Sequence, residues 1–177
     1  MLIRLILLTS TCLLSNVTFA SPLIIGQKPS SIKLDGDLGG KVTGESWSSE
    51  EIEKYGKVIS LFYIDPEEKK QNEPLEAAYE TEHFPREKHQ SIAIINMAAA
   101  WYPNSMIDSQ LRKKQEKFPR TVYVKDVKKT LVGEWGLQDD SVNVAIFTKD
   151  GKLLYVKKGP MNPNEISELM KLIRANL

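Results

Sequence analysis

A near-continuous apolar run at residues 58–64 ends at Asp65-Pro66, and this feature most limits how the chain can fold. Seven residues that are mostly aliphatic, β-branched or aromatic are typical of a strand buried on both faces of a parallel sheet. Asp65 is a suitable N-cap residue, Pro66 suits the first helical position, and Glu68 follows the cap by three residues. The pattern therefore predicts a strand that passes directly into a helix through an Asp-x-x-Glu capping box.

The helix after Asp65 is expected to continue to Glu82. Leu75, Ala78 and Tyr79 have the spacing of a helix face that packs against a sheet. Pro74 lies inside this pattern and predicts a kink, because proline has no N–H for the helical hydrogen bond.

The other patterns predict an α/β fold with three layers, helix, mixed central sheet and helix. Residues 91–97 and 121–125 fit further strands, Asp150-Gly151 predicts a hairpin turn, and Asn162-Pro163-Asn164-Glu165 predicts a capping box before the last helix. Residues 31–34 and 41–43 predict an N-terminal β-hairpin extension. Strand–helix–strand units followed by a hairpin and a helix fit one domain over residues 21–177.

Residues 1–20 have the three parts of a secretory signal peptide. Arg4 gives the positive start, residues 5–14 are largely apolar, and Thr18-Phe19-Ala20 predicts cleavage after Ala20. The apolar part is shorter than the about 20 residues that span a bilayer, so no stable membrane insertion is expected after cleavage. A buried first helix, a membrane anchor and a lipoprotein attached through Cys12 are the alternatives. The favoured interpretation predicts a periplasmic protein.

Cysteine content and charge exclude several functions. Cys12 is the only cysteine of the 177 residues, and removal of residues 1–20 leaves a chain without thiol chemistry or disulfides. The formal net charge is +1, and it becomes zero when Arg4 is lost with the signal peptide. A neutral chain gives no electrostatic case for nucleic acid or for an anionic membrane.

The predicted order of elements resembles the thioredoxin fold, in the version with extra N-terminal structure found in peroxiredoxins and TlpA-like thioredoxins. Three further motifs, Trp135-x-Leu137-x-Asp139, Thr148-Lys149-Asp150-Gly151 and a last helix that contains Glu165, make residues 23–177 similar to the YtfJ family of periplasmic proteins from Gram-negative bacteria. That family has no established activity, so the resemblance implies a fold and a compartment.

The thioredoxin resemblance also implies where a redox site would lie. If Pro74 is the proline that kinks the thioredoxin helix, the two redox cysteines fall on Pro66 and Lys69, and the cis-proline falls on Val142. None of these three residues keeps the redox chemistry, so the resemblance implies that the chain is not a thiol oxidoreductase.

Other catalytic chemistry has weak support in the sequence. His83 and His89 are the only histidines, and their spacing does not predict a metal site or a cofactor, so both are expected to be solvent-exposed side chains. No serine has an evident histidine partner. Asp65, Glu67 and Glu68 offer paired carboxylates, although capping already accounts for Asp65 and Glu68.

Side chains that follow the carboxyl ends of parallel strands are expected to meet in one crevice, where α/β sheets bind ligands. Trp101 is expected to pack beneath its loop as part of the core, and the alternative is that Trp101 and Tyr102 are exposed in this crevice and offer a partner surface. The predicted partner-binding residues are Asp65, Glu68, Asn96, Trp101, Tyr102 and Asn143. Two functions remain open: a non-enzymatic binding or scaffold module for a periplasmic protein or peptide, and a metal- or carboxylate-dependent hydrolase centred on Asp65.

Overall fold

The computed structural model describes residues 21–177, so the predicted signal peptide, its cleavage site and Cys12 lie outside the described residues. No helix that it describes is both long and apolar enough to cross a membrane. The elements in chain order are β1 (Lys33–Leu34), β2 (Gly39–Lys41), β3 (Trp47–Ser48), α1 (Glu51–Lys54), β4 (Val58–Ile64), α2 (Glu73–Glu82), β5 (His89–Asn96), α3 (Asn104–Lys117), β6 (Thr121–Asp126), α4 (Thr130–Trp135), β7 (Val142–Phe147), β8 (Leu153–Lys158) and α5 (Pro163–Asn176).

A six-stranded mixed sheet forms the centre, in the order β2-β6-β5-β4-β7-β8. β4 pairs in parallel with β5, and β5 in parallel with β6, while β2, β7 and β8 pair antiparallel to their neighbours. All seven residues of β4 are buried, because both of its faces and both of its edges are covered. The predicted central strand is confirmed at residues 58–64.

Alternation along the strands divides the core into two faces. Phe62 and Ile64 belong to the face covered by α2, α3 and α5, which we call the α2/α3/α5 face. Leu61 and Tyr63 belong to the opposite face, covered by α1, α4 and the β1–β3 pair, which we call the α1/α4 face. Helices on both faces of one mixed sheet confirm the predicted three-layer α/β architecture.

The N-terminal antiparallel pair is present, but its second strand is not at residues 41–43. β1 pairs with β3, and β2 instead joins the edge of the central sheet beside β6. Gly39 makes this approach possible, since a Cβ atom there would lie 1.9 Å from the carbonyl oxygen of Lys125. Its φ of +128° is also one that side-chain-bearing residues rarely adopt.

The prediction of one kinked helix from Asp65 to Glu82 is wrong. A 3-10 turn occupies Lys69–Asn72, and α2 begins only at Glu73 with Pro74 in its first turn. The first-turn N–H groups of a helix have no intrahelical partner, so proline costs nothing there, whereas a helix continuing through it would lose a hydrogen bond. Pro74 therefore starts the helix rather than bending it.

The last helix begins as predicted. The Asn162 side chain accepts hydrogen bonds from the N–H groups of Asn164 and Glu165, at 2.9 and 3.0 Å. The Glu165 carboxylate accepts one from the N–H of Asn162 at 2.8 Å, which completes the capping box. Ile166, Leu169, Met170 and Ile173 of this helix pack into the α2/α3/α5 face.

Candidate functional site

Asp65 follows β4 and is buried, with 3% of its surface exposed. Its Oδ1 atom accepts a hydrogen bond from the N–H of Glu67 at 2.8 Å, and its carbonyl oxygen accepts one from the N–H of Glu68. The Glu68 carboxylate accepts instead from the Gln71 side chain. The predicted Asp65–Glu68 capping box is therefore wrong: Asp65 stabilises a turn two residues long, and no α-helix begins there.

The environment of Asp65 disfavours its charged form. Burial raises the pKa of Asp65, and the carboxylates of Asp140, Glu67 and Glu68 add to that rise, while the Glu67 N–H opposes it. A carboxyl group in this position is harder to ionise than one in water. It is fixed by its turn and lies near three other carboxylates.

Asn96, at the end of β5, is also buried at this end of the sheet. Only 1% of its surface is exposed, and its Nδ2 atom donates to Asp139 at 2.8 Å. Asp139 also pairs with the ammonium group of Lys129. Burial opposes ionisation of Asp139, but the hydrogen bonds from Lys129, the Asp140 backbone and Asn96, with the Lys129 charge, together lower its pKa. Asn96 thus helps to join β5 to the segment before β7.

Asn143 and Val142 open β7 and are both buried. The Asn143 side chain accepts a hydrogen bond from the N–H of Gln138 and donates one to the carbonyl oxygen of Gln138, each at 2.8 Å. It therefore pairs with the Gln138 backbone as a neighbouring strand would. Val142 lies opposite Ile64, and the described residues contain no cis peptide bond. Both residues hold the backbone in place, and the buried Asn143 amide is engaged with the Gln138 backbone rather than turned to the surface.

Trp101 is the most exposed large apolar side chain among the described residues, at 85%. Its backbone N–H donates to the Glu67 carboxylate at 2.8 Å, which ties the loop after β5 to the turn after β4. The Tyr102 ring meets the Trp101 ring edge to face, with centroids 5.8 Å apart. Trp101, Tyr102 and Glu67 form what we call the aromatic edge. The expectation that Trp101 packs beneath its loop is wrong, and the alternative of an exposed ring is the one observed.

Five of the six residues expected to share one crevice divide into two sets, and the sixth, Glu68, is half-buried in the turn after Asp65. Asp65, Asn96 and Asn143 are buried, and Asn143 lies opposite Tyr63, on the α1/α4 face. Trp101 is exposed, and Tyr102 is half-buried against the opposite α2/α3/α5 face. Alternation along the strands accounts for the first set, since consecutive strand residues point to opposite sides of the sheet, whereas Trp101 and Tyr102 lie in the loop after β5.

Pro66 and Lys69 lie in the bend and in the 3-10 turn between β4 and α2. Their assignment to the redox cysteine positions depended on a kink at Pro74, which α2 does not have. Counting back from Pro74 therefore no longer assigns Pro66 and Lys69 to the redox cysteine positions, although both residues still follow the central strand. The sequence contains no cysteine from residue 21 onwards, so no alternative alignment restores a thiol.

A buried hydrogen-bonded chain, Tyr79–Ser60–His89, lies beneath α2 and was missed from the sequence. The Tyr79 hydroxyl donates to Ser60 Oγ at 2.8 Å, and Ser60 Oγ lies 2.8 Å from His89 Nε2. Burial, with a smaller contribution from the Arg120 charge, lowers the pKa of His89 to about 4. Neutral His89 can accept through Nε2 a hydrogen bond that the Ser60 hydroxyl donates.

This chain corrects two expectations. Ser60 does have a histidine partner, and His89 is not a solvent-exposed side chain. Ser60 is fully buried, so it is a structural group that no substrate reaches. A serine inside the otherwise apolar run at residues 58–64 was the available signal, because a buried hydroxyl needs a partner.

Metal ligation has no geometric support in the part of the chain that the structure describes. No group of three or more His, Cys, Asp or Glu side chains there is placed to hold a metal ion. The carboxylates near Asp65 are instead engaged with backbone N–H groups, Asn96 and Lys129.

Comparison with solved structures identifies the fold. A putative protein disulfide isomerase from Bacteroides thetaiotaomicron is similar with a TM-score of 0.62 over 88% of this chain and 91% of that chain, at 14% identity. The exposed lipoprotein thioredoxin Etrx1 of Streptococcus pneumoniae strain TIGR4 gives a TM-score of 0.57 over 80% and 98%, at 15% identity. The fold is therefore thioredoxin-like, as the sequence predicted.

Comparison of sequences identifies the family. The uncharacterised protein YtfJ of Escherichia coli strain K12 is 26% identical over 182 residues, covering 98% of each chain. Residues 27–176 match the family model YtfJ_HI0045, whose description is "bacterial protein of unknown function". This match spans nearly the whole of the described fold, and the chain therefore belongs to the YtfJ_HI0045 family.

Proposed function

We propose that this protein is an exported, non-redox binding module that takes a protein or peptide partner on its aromatic edge. The exposure of Trp101 carries the proposal. Tryptophan and tyrosine are enriched among the residues that dominate binding energy at interfaces, because they bury a large area with few rotatable bonds. The hydrogen bond from the Trp101 backbone to Glu67 fixes this edge before any partner arrives.

The absence of cysteine from residues 21–177 supports a role without thiol exchange. Removal of residues 1–20 as a signal peptide takes away Cys12, and the mature protein then acts in the periplasm without redox chemistry. Thiol–disulfide exchange requires an attacking thiolate, which such a chain does not have.

The chemistry of the edge favours an apolar contact over hydrolysis. Asp65 is buried and holds its turn, and Glu68 accepts from Gln71, so neither carboxylate is free to serve as an exposed catalytic pair. Trp101 and Tyr102 instead offer ring surface at the outside of the sheet. The expected partner inserts an apolar side chain against these rings and places polar groups near Glu67.

Tryptophan fluorescence gives a specific test of this proposal. The chain has three tryptophans, of which Trp47 and Trp135 are fully buried, so acrylamide quenching of native protein reports chiefly on Trp101. Periplasmic fractions that contain the partner should reduce quenching, and a photo-cross-linking residue at position 101 should join one defined protein. The same cross-linker at exposed Ile25 is the matched control.

The double variant Trp101→Ala, Tyr102→Ala should abolish partner capture and leave the melting temperature within a few degrees of wild type. Equal cross-linking at positions 101 and 25 would contradict the proposal. Reduction of insulin disulfides by protein that begins at residue 21 would overturn its non-redox part.

A further inference from the structure

A cavity of about 230 Å³ lies between α2 and α3, over β4, β5 and β6. Its floor is formed by sheet residues of the α2/α3/α5 face, including Phe62, Ala93 and Tyr123. For scale, a cavity of about 150 Å³ lined by apolar side chains holds benzene. The space between these helices therefore suits a body larger than a single aromatic ring.

Aromatic side chains are unusually frequent in the wall of this cavity. Five rings line it, those of Phe62, Tyr79, Tyr102, Phe118 and Tyr123. Phe62 and Tyr79 meet edge to face with centroids 5.1 Å apart, and the Tyr79 hydroxyl is already engaged by Ser60. Aromatic ring faces carry negative charge density and attract cations within about 6 Å of their centres.

The rim of the cavity is polar and reaches the surface. Glu76 and Glu80 of α2 face Lys114 of α3 there, and all three are exposed. Lys114 lies 4.0 Å from the Glu76 carboxylate, whereas Glu80 has no ion-pair partner within 4.0 Å among the described residues. These three groups have a net charge of −1, which favours a cation over an anion at the entrance.

One further observation places negative character at the wall. Asn72 is 2% exposed, its Nδ2 atom donates to Glu76 at 3.0 Å, and its amide oxygen has no hydrogen-bond partner among the described residues. An ammonium group can satisfy a buried amide oxygen and screen a neighbouring carboxylate.

We propose that the cavity between α2 and α3 is a binding site for a small organic cation, an amine that carries an aryl or alkyl body. The body lies among the five rings, and the ammonium group lies at the rim beside the α2 carboxylates Glu76 and Glu80. The cavity shares Tyr102 with the aromatic edge but is not lined by Trp101, so a change at Trp101 alone separates the two sites.

Three probes with the same body and different end groups distinguish the effect of charge on binding from the effect of shape. 3-Phenylpropylamine, 3-phenylpropanol and 3-phenylpropionate share one phenylpropyl body and differ in charge at the end. Titration of the protein beginning at residue 21, by calorimetry and amide NMR, should give the tightest binding for the amine and the weakest for the carboxylate. Shifted NMR signals should belong to residues of α2, α3 and the floor strands.

The Glu80→Gln variant tests the role assigned to the rim carboxylate. It should weaken binding of the amine by about 5- to 10-fold and leave binding of the alcohol unchanged, since one charge contact is removed. Glu87→Gln is the matched control, because Glu87 is exposed but does not line the cavity. Both variants change exposed side chains, so each should keep the wild-type melting temperature.

Several results would overturn the proposal. These are equal dissociation constants for the three probes, an amine preference that survives Glu80→Gln, shifts outside the cavity, or no binding of any probe. Trp101→Ala should leave amine binding unchanged. If Trp101→Ala loses partner capture but still binds the amine, the two sites are separate. If wild type captures its partner but does not bind the amine, only the cavity proposal fails.

Discussion

The two faces of the central sheet are filled in different ways. On the α1/α4 face, the two indoles of Trp47 and Trp135 are fully buried and meet edge to face at 6.5 Å. On the α2/α3/α5 face, a cavity of about 230 Å³ lies between two helices. A face that is closed by large side chains holds the fold together, whereas a face with a lined cavity leaves room for a ligand. The difference separates the residues that maintain the fold from those that can bind.

The largest expected effect is loss of a tryptophan from the closed face. Trp135→Ala should lower the free energy of unfolding by about 3–5 kcal/mol, as expected for a large side chain removed from a close-packed core. It also removes the hydrogen bond from the indole to the Ser30 carbonyl oxygen at 3.1 Å. Urea unfolding measures the loss.

Phe118→Ala is the matched variant on the face with the cavity, since Phe118 is partly exposed and lines that space. Its cost should remain below about 3 kcal/mol, within the range of ordinary substitutions. Equal losses for Trp135→Ala and Phe118→Ala would remove the distinction between the faces.

Acid should weaken the face with the cavity through His89. Its pKa is about 4 in the folded protein, against 6.5 for the free side chain, so below pH 6.5 the unfolded chain binds a proton that the folded chain does not. This contribution is complete above pH 6.5 and is lost as the pH falls towards 4, by up to about 3 kcal/mol.

The measurement is urea unfolding between pH 7 and pH 4 for wild type and His89→Gln. The variant should show a shallower loss, and the difference between the two curves isolates His89 from carboxyl groups that titrate in the same range. His83→Gln, at an exposed histidine, should follow the wild-type curve. Parallel curves for wild type and His89→Gln would exclude this origin.

A pair of alanines tests the packing of the two faces directly. Ala145 lies on the α1/α4 face with 2% of its surface exposed, and Ala93 lines the cavity with 5% exposed. Ala145→Leu should cost about 1–3 kcal/mol, because a filled core must distort to accept new methyl groups. Ala93→Leu should cost less than about 1 kcal/mol, since its methyl groups enter existing space. A greater cost at Ala93 would show that the cavity face is the less tolerant one.

The smallest effect concerns Asp65, which belongs to the buried set of predicted site residues. Asp65→Asn keeps an oxygen that can accept from the Glu67 N–H and removes a charge that burial disfavours, so stability at pH 7 should rise. Asp65→Ala loses the hydrogen bond and should be less stable than Asp65→Asn by about 1 kcal/mol. Thermal melts of the two variants give the comparison, and a more stable alanine variant would show that the turn does not need this acceptor.

The sequence predicted the strands and the last helix well because their signals are local. The buried run at residues 58–64 and the capping box at Asn162 each depend on neighbours in the chain, and both are confirmed. Pro74 was ambiguous, because proline fits both a kink and a first helical turn, and only the 3-10 turn before it decides between them. The pairing of β1 with β3 also depends on distant contacts.

The candidate site was harder to predict than the fold. Loop aromatics have no periodic pattern, so the exposure of Trp101 could not be decided from its neighbours in sequence. The cavity depends on the separation of α2 and α3, to which residues from three strands and two helices contribute. Asn96 was expected in the crevice because it ends a parallel strand, and Asn143 because it lies beside the position of the thioredoxin cis-proline, but both side chains are engaged in the interior.

The two margins of the sheet influence how the folded chain behaves at high concentration. Unpaired strand margins can recruit strands of other molecules and start aggregation. Here β2 is only three residues long, and at the opposite margin the N-terminal segment covers the beginning of β8 through backbone bonds between Gly26, Gln27 and Leu153. Lys157 and Lys158 end β8 with positive charge. Addition of strands from other molecules is therefore disfavoured at both margins. This protection against aggregation comes from the sheet margins and not from the core.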